Sequence, residues 1–90
     1  MVENLKIAVV GLGYVGLPLA LAFARHFPGT VGFDINTKKV EQIKKGIDPT
    51  GESLGEELKN TRLSVTTDIE ELRGCNFFVV GVPTPVDAVS

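Results

Sequence analysis

An α/β layer built on a parallel sheet is what this chain encodes, and three observations carry that reading. Four short apolar runs, at 6–10, 30–33, 63–66 and 77–82, are separated by stretches of helical periodicity. The first run passes directly into Gly11-Leu12-Gly13-Tyr14-Val15-Gly16, and the second stops at an acidic residue, Asp34. Crossovers through helices are right-handed and keep the strands they join parallel, so the alternation implies a parallel sheet with helices on both faces. In the mononucleotide-binding arrangement, a Rossmann-type sheet, the first four strands take the order 3-2-1-4. The carboxyl ends of strands 1 and 4 then flank the switch point where ligands bind.

Each element has its own warrant. KIAVV, bounded by Gly11, predicts a strand buried on both faces. From Tyr14 to about His26 the spacing is helical, and Gly16, Ala20 and Ala24 place small side chains on one face for close packing on the sheet. Pro18 removes one backbone hydrogen bond, so either this helix begins late or the Tyr14 carbonyl finds water or a ligand. Pro28-Gly29 breaks the chain before TVGF, the second strand. Asn36 or Thr37 caps a helix whose apolar stripe is Val40, Ile43 and Ile47 and which Gly46 terminates. Ser53-Leu54-Gly55-Glu56 fits a capping box that opens a short helix to about Lys59. A weaker strand at 63–66, a one-to-two-turn helix at 69–72 capped by Asp68, and the wholly apolar FFVVGV complete the set.

Ninety residues support one core, and an apolar fraction of 43% with a net charge of -2 excludes a disordered or collagen-like chain. There is no basic excess to meet nucleic acid. The uncharged stretch at 7–24 is long enough to cross a membrane, but three glycines and a proline interrupt it. A signal peptide is not expected, since Glu3 and Lys6 flank a strand-like run. Cys75 is the single cysteine, so no internal disulfide forms and a reducing cytoplasm is the default.

The chemistry concentrates at two turns. In G-x-G-x-x-G between a strand and a helix, Gly11 permits the tight turn, Gly13 lets the backbone approach a pyrophosphate, and Gly16 allows helix and sheet to touch. Free N–H groups and the positive end of the helix dipole stabilise the phosphates without a basic side chain. The same glycines also suit a packing turn with no ligand. Asp34, 23 positions after Gly11, stands where an acidic residue accepts hydrogen bonds from an adenosine ribose, and its charge favours NAD over NADP. Lys38 and Lys39 either attract phosphate or form a solvated helix face. In Val82-Pro83-Thr84-Pro85 the prolines end strand pairing, and Thr84 either offers its hydroxyl and amide to a cofactor or simply terminates the strand. His26 at a helix end and Cys75 before the fourth strand read as structural.

KIAVVGLGYVGLPLA, VGFDINTKKVEQIKKG and FFVVGVPTPVD together resemble the N-terminal segment of the UDP-glucose/GDP-mannose dehydrogenase family, over nearly the whole chain. The resemblance implies Gly11, Leu12, Gly13, Tyr14, Val15 and Gly16 around the pyrophosphate of NAD, Asp34 and Lys39 at the adenosine ribose, and Pro83 and Thr84 near the nicotinamide. Leu17 to Ala20 and Pro83 to Asp87 look most like the branch that acts on UDP-N-acetylhexosamines for surface polysaccharides. The family's reaction, oxidation of a UDP-sugar C6 alcohol to a carboxylate with two NAD, runs through a thioester on a cysteine of a later region. Cys75 matches no catalytic motif, so no catalytic residue is assigned. Residues 1–90 are then expected to be the N-terminal part of the NAD-binding domain, without substrate or central domains and inactive alone. Two other readings stay open: another Rossmann dehydrogenase of the hydroxyacyl-CoA or 6-phosphogluconate type, or a non-catalytic nucleotide-binding module. The apolar fourth strand, if left as an edge, predicts a homodimer, a swapped edge or poor solubility.

Overall fold

The computed structural model describes residues 5–51 and 54–81. Along them run β1 (Ile7–Val10), α1 (Gly16–His26), β2 (Val31–Phe33), α2 (Thr37–Lys44), α3 (Gly55–Asn60), β3 (Ser64–Thr66), a 3₁₀ turn (Ile69–Leu72) and β4 (Phe77–Val80). All pairings are parallel and the order is β3-β2-β1-β4, as the alternation requires. Val10, the last residue of β1, stands opposite Phe33 on one side and Val80 on the other. The carboxyl ends of the three strands therefore meet at one level.

Side chains alternate across a strand, and β1 is apolar at every position because both of its faces are covered. Ile7 and Val9 enter a core with Leu12, Leu17, Ala20 and Leu21, to which α2 adds Ile43 and α3 adds Leu58. Ala8 faces the other way, into a smaller cluster with Val31, Phe33, Leu72 and Cys75, where the 3₁₀ turn provides the cover. Gly16, Ala20 and Ala24 are all buried on α1, so its small-residue face is the face on the sheet.

The local endings explain themselves. α1 begins at Gly16, later than Tyr14, which settles the place of Pro18: it sits in the first turn, where a missing N–H is tolerated. The Leu17 N–H donates to the Gly13 carbonyl and the Leu19 N–H to the Val15 carbonyl, and Pro18 between them donates nothing. Asn36 caps α2, its side chain accepting from the Lys39 N–H at 2.9 Å. Gly46 follows α2 with φ +82°, the left-handed conformation that closes a helix, so Ile47 falls beyond the last turn and is half exposed rather than part of the stripe. The cap of α3 falls on Leu54, with no side-chain hydrogen bond. Ser53, expected to open that helix, lies outside the described residues. The Leu54 N–H donates to Asp48 Oδ2 at 3.0 Å, while Asp48 Oδ1 accepts from the amide and hydroxyl of Thr50. An ion pair between Arg25 and Glu57 ties α3 to α1.

Candidate functional site

A cleft of about 320 Å³ opens where β1 and β2 end, lined by Val10, Gly11, Leu12, Gly13, Phe33, Asp34, Ile35, Lys39 and Gly81. The Gly11 N–H donates to the Phe33 carbonyl at 2.8 Å, and the Gly81 N–H donates to the Val10 carbonyl at 2.8 Å. Both neighbours of β1 are thus held one residue past the strand. Gly11 has φ +97°, which L side chains rarely adopt.

Three glycines stack backbone on backbone beneath the cleft. A Cβ on Gly16 would run into the Gly11 carbonyl, one on Gly11 would strike the Gly81 carbonyl, and one on Gly81 would lie 2.7 Å from the Gly16 Cα. Gly13 differs: a Cβ there would meet nothing within 4 Å. The space over Gly13 is therefore open, and it is the place where a ligand can come close to the main chain. Among the described residues the N–H groups of Gly13, Tyr14, Val15 and Gly16 meet no acceptor, so the N-terminus of α1 keeps its donors free for an anion.

The other predicted residues divide by role. Tyr14 and Val15 stand in solvent, 67% and 57% exposed, so their share in a site is through the backbone. Leu12 is fully buried and packs over Gly32, where a Cβ would lie 2.9 Å from its Cδ2. The Leu12 N–H is already engaged, donating to Asp34 Oδ2 at 2.9 Å. Asp34 Oδ1 accepts from the Asn36 N–H at 2.9 Å, and Lys39 Nζ reaches Oδ2 at 3.4 Å. Burial raises the Asp34 pKa, but the two backbone donors and the Lys39 charge outweigh it, and the carboxyl is held below its ordinary value. Pro83 and Thr84 lie outside the described residues. His26 is exposed at the end of α1, and Cys75 is buried in the smaller cluster, away from the cleft.

Gly81 and Ile35 line the cleft without having been singled out in the sequence. Gly81 sits inside FFVVGV, where it reads as one more strand residue. Ile35 is 82% exposed beside Asp34, and its signal was an aliphatic residue in a turn that favours polar ones. Roomier hollows exist, about 460 Å³ between α2, α3 and β3 and about 490 Å³ near Arg25 and Glu57. Neither gathers free backbone donors and a fixed carboxylate as the smaller cleft does. No group of three His, Cys, Asp or Glu able to hold a metal occurs among the described residues.

The NAD binding domain of the UDP-glucose/GDP-mannose dehydrogenase family matches residues 5–90. The chain belongs to this family. The UDP-N-acetyl-D-glucosamine 6-dehydrogenase of Salmonella typhi is 45% identical over 87 residues, covering 96% of this chain and 20% of that protein. The enzyme of the same name from Pseudomonas aeruginosa is 50% identical over 86 residues, again 20% of its length. The solved UDP-D-ManNAc dehydrogenase of Pyrococcus horikoshii superposes with a TM-score of 0.82 at 38% identity, over 90% of this chain and 21% of that one. The chain thus spans about a fifth of the length of the relatives it matches. NAD is the cofactor of this family domain, and the cleft fits it: an open approach over Gly13, four unused N–H donors for a pyrophosphate, and an acceptor at Asp34 for a ribose.

Proposed function

We propose that the cleft holds the adenosine diphosphate half of NAD and that residues 1–90 are the N-terminal part of the NAD-binding domain of a nucleotide-sugar 6-dehydrogenase. The observation that carries the reading is the pairing of an open glycine turn with a buried-side carboxylate, Asp34, at the lip of the same cleft. Gly11, Gly13 and Gly16 shape the pyrophosphate site, with the amides of Tyr14 and Val15 as donors and Leu12 as its anchor. Asp34 and Lys39 meet the adenosine ribose, and Pro83-Thr84 serves the nicotinamide end. The substrate of the whole protein is a UDP-sugar, best an N-acetylhexosamine in view of the relatives' names, oxidised at C6 with two NAD for surface polysaccharide synthesis. These residues supply cofactor recognition and no catalytic side chain, so the 90-residue chain alone is inactive. We also infer a cytoplasmic protein, in keeping with the unpaired Cys75, that associates as a homodimer.

Calorimetric titration with NAD and NADP tests the cofactor reading. The wild-type chain binds NAD in preference to NADP, and Asp34→Ala weakens NAD by roughly tenfold, the worth of one hydrogen bond to a charged group, while narrowing the gap to NADP. Equal affinities of wild type and variant for both nucleotides would remove Asp34 from the site.

A further inference from the structure

Asp34 makes more contacts inside the protein than a ribose acceptor needs. Its Oδ2 accepts from the Leu12 N–H at 2.9 Å and from Lys39 Nζ at 3.4 Å, and its Oδ1 accepts from the Asn36 N–H at 2.9 Å. Asn36 in turn caps α2 by accepting from the Lys39 N–H. Asp34, Asn36 and Lys39 thus close a ring at the turn after β2, and the bond from the Leu12 N–H ties it to the turn after β1, the other lip of the cleft. Leu12 is pinned at both ends, its side chain buried over Gly32 of β2 and its amide on Asp34. It is also the residue between Gly11 and Gly13. Releasing its amide would leave a part-buried donor unpaired and loosen Leu12, whose carbonyl shares a peptide plane with the Gly13 N–H.

We propose that Asp34 is a positioning residue for the pyrophosphate site as well as a ribose contact: its carboxylate holds the glycine turn in its ligand-ready shape before any cofactor arrives. This rests on the reading of the cleft as an NAD site. A carboxylate offers about four lone-pair directions, and three are occupied, so one remains for a ribose hydroxyl without breaking the bond to Leu12. The two tasks are compatible in one side chain. They predict that Asp34 matters even for a ligand that has no ribose hydroxyls to offer it.

Two measurements separate the tasks. In the ligand-free chain, amide hydrogen exchange at Leu12 speeds up by roughly tenfold or more in Asp34→Ala, because a charge-assisted bond is lost. It is largely restored in Asp34→Asn, whose amide oxygen can still accept from Leu12, while the amides of Ala20 and Leu21 in α1 keep wild-type rates. Unchanged exchange at Leu12 in Asp34→Ala would overturn the proposal. Should that variant not fold, the wild type decides: the Leu12 amide proton shift titrates together with the Asp34 carboxyl carbon, and a flat trace would overturn it equally. In the second measurement, Asp34→Ala weakens NAD and also an NAD analogue whose adenosine ribose is 2′,3′-dideoxy. Loss for NAD alone would reduce Asp34 to a ribose contact and end the positioning role. If the wild type binds neither nucleotide, the cofactor reading fails, and the exchange data still judge the strut.

Discussion

At the scale of single residues, Asp34 links acidity to stability. Burial pushes its pKa up, the Leu12 and Asn36 amides and the Lys39 charge pull it further down, and the net is a lowered value in the folded chain. A carboxyl with a depressed folded pKa adds stability above its unfolded value, and that stability is lost as the pH falls through the folded one. The unfolded value lies near 3.8, so the loss belongs below about pH 4. Denaturant midpoints of wild type and Asp34→Asn measured from pH 7 to pH 3 should converge as the pH drops, because the wild type loses the charge that the variant never had. A constant separation across that range would mean that the ion pair and backbone donors do not depend on the ionised form. Asp34 itself was legible in the sequence, since an acid at the end of a second strand after a glycine turn has few other uses. Its bond to Leu12 was not, because spacing along the chain says nothing about which amide a carboxylate will meet across a cleft.

At the scale of elements, the glycine stack under the cleft decides how closely α1 approaches β4. Gly81→Ala puts a Cβ 2.7 Å from the Gly16 Cα, and backbone cannot move aside as a flexible side chain can. The variant should lose roughly 1–3 kcal/mol of stability, the usual cost of overpacking, and bind NAD more weakly as α1 is pushed from the sheet. Thermal unfolding with and without NAD checks both, and a wild-type melting temperature would show that the contact relaxes freely. The strands and helices were readable because apolar periodicity and caps are local signals: KIAVV, the Gly16-Ala20-Ala24 face and the Asn36 cap all appear where expected. Gly81 was not readable, since the constraint on it comes from Gly11 and Gly16, some seventy residues earlier. The bond from the Leu54 N–H to Asp48 Oδ2, six residues back, was not readable either, since spacing does not say which amide a loop carboxylate will meet.

At the scale of the whole molecule, the described sheet is buried in its middle, with β4 outermost beside β1. Phe78 and Val80 are 53% and 62% exposed on β4, an edge strand among the described residues, and Phe77 is nearly half exposed. An apolar edge with unpaired backbone groups favours association. Light scattering on the 90-residue chain should therefore show a dimer or larger species, and Phe78→Lys should shift it towards monomer; a monomer at high concentration without that change would count against edge pairing. The same sheet order also sets a clock. β1 takes Ile7 to Phe77 as a partner, 70 positions away, and no tight hairpin joins any two of its strands. At about 5–20 residues per second, a ribosome needs roughly 4–14 s to deliver β4 after β1 has emerged. For that interval the future centre of the sheet has one flank bare, and the nascent chain depends on whatever shields it.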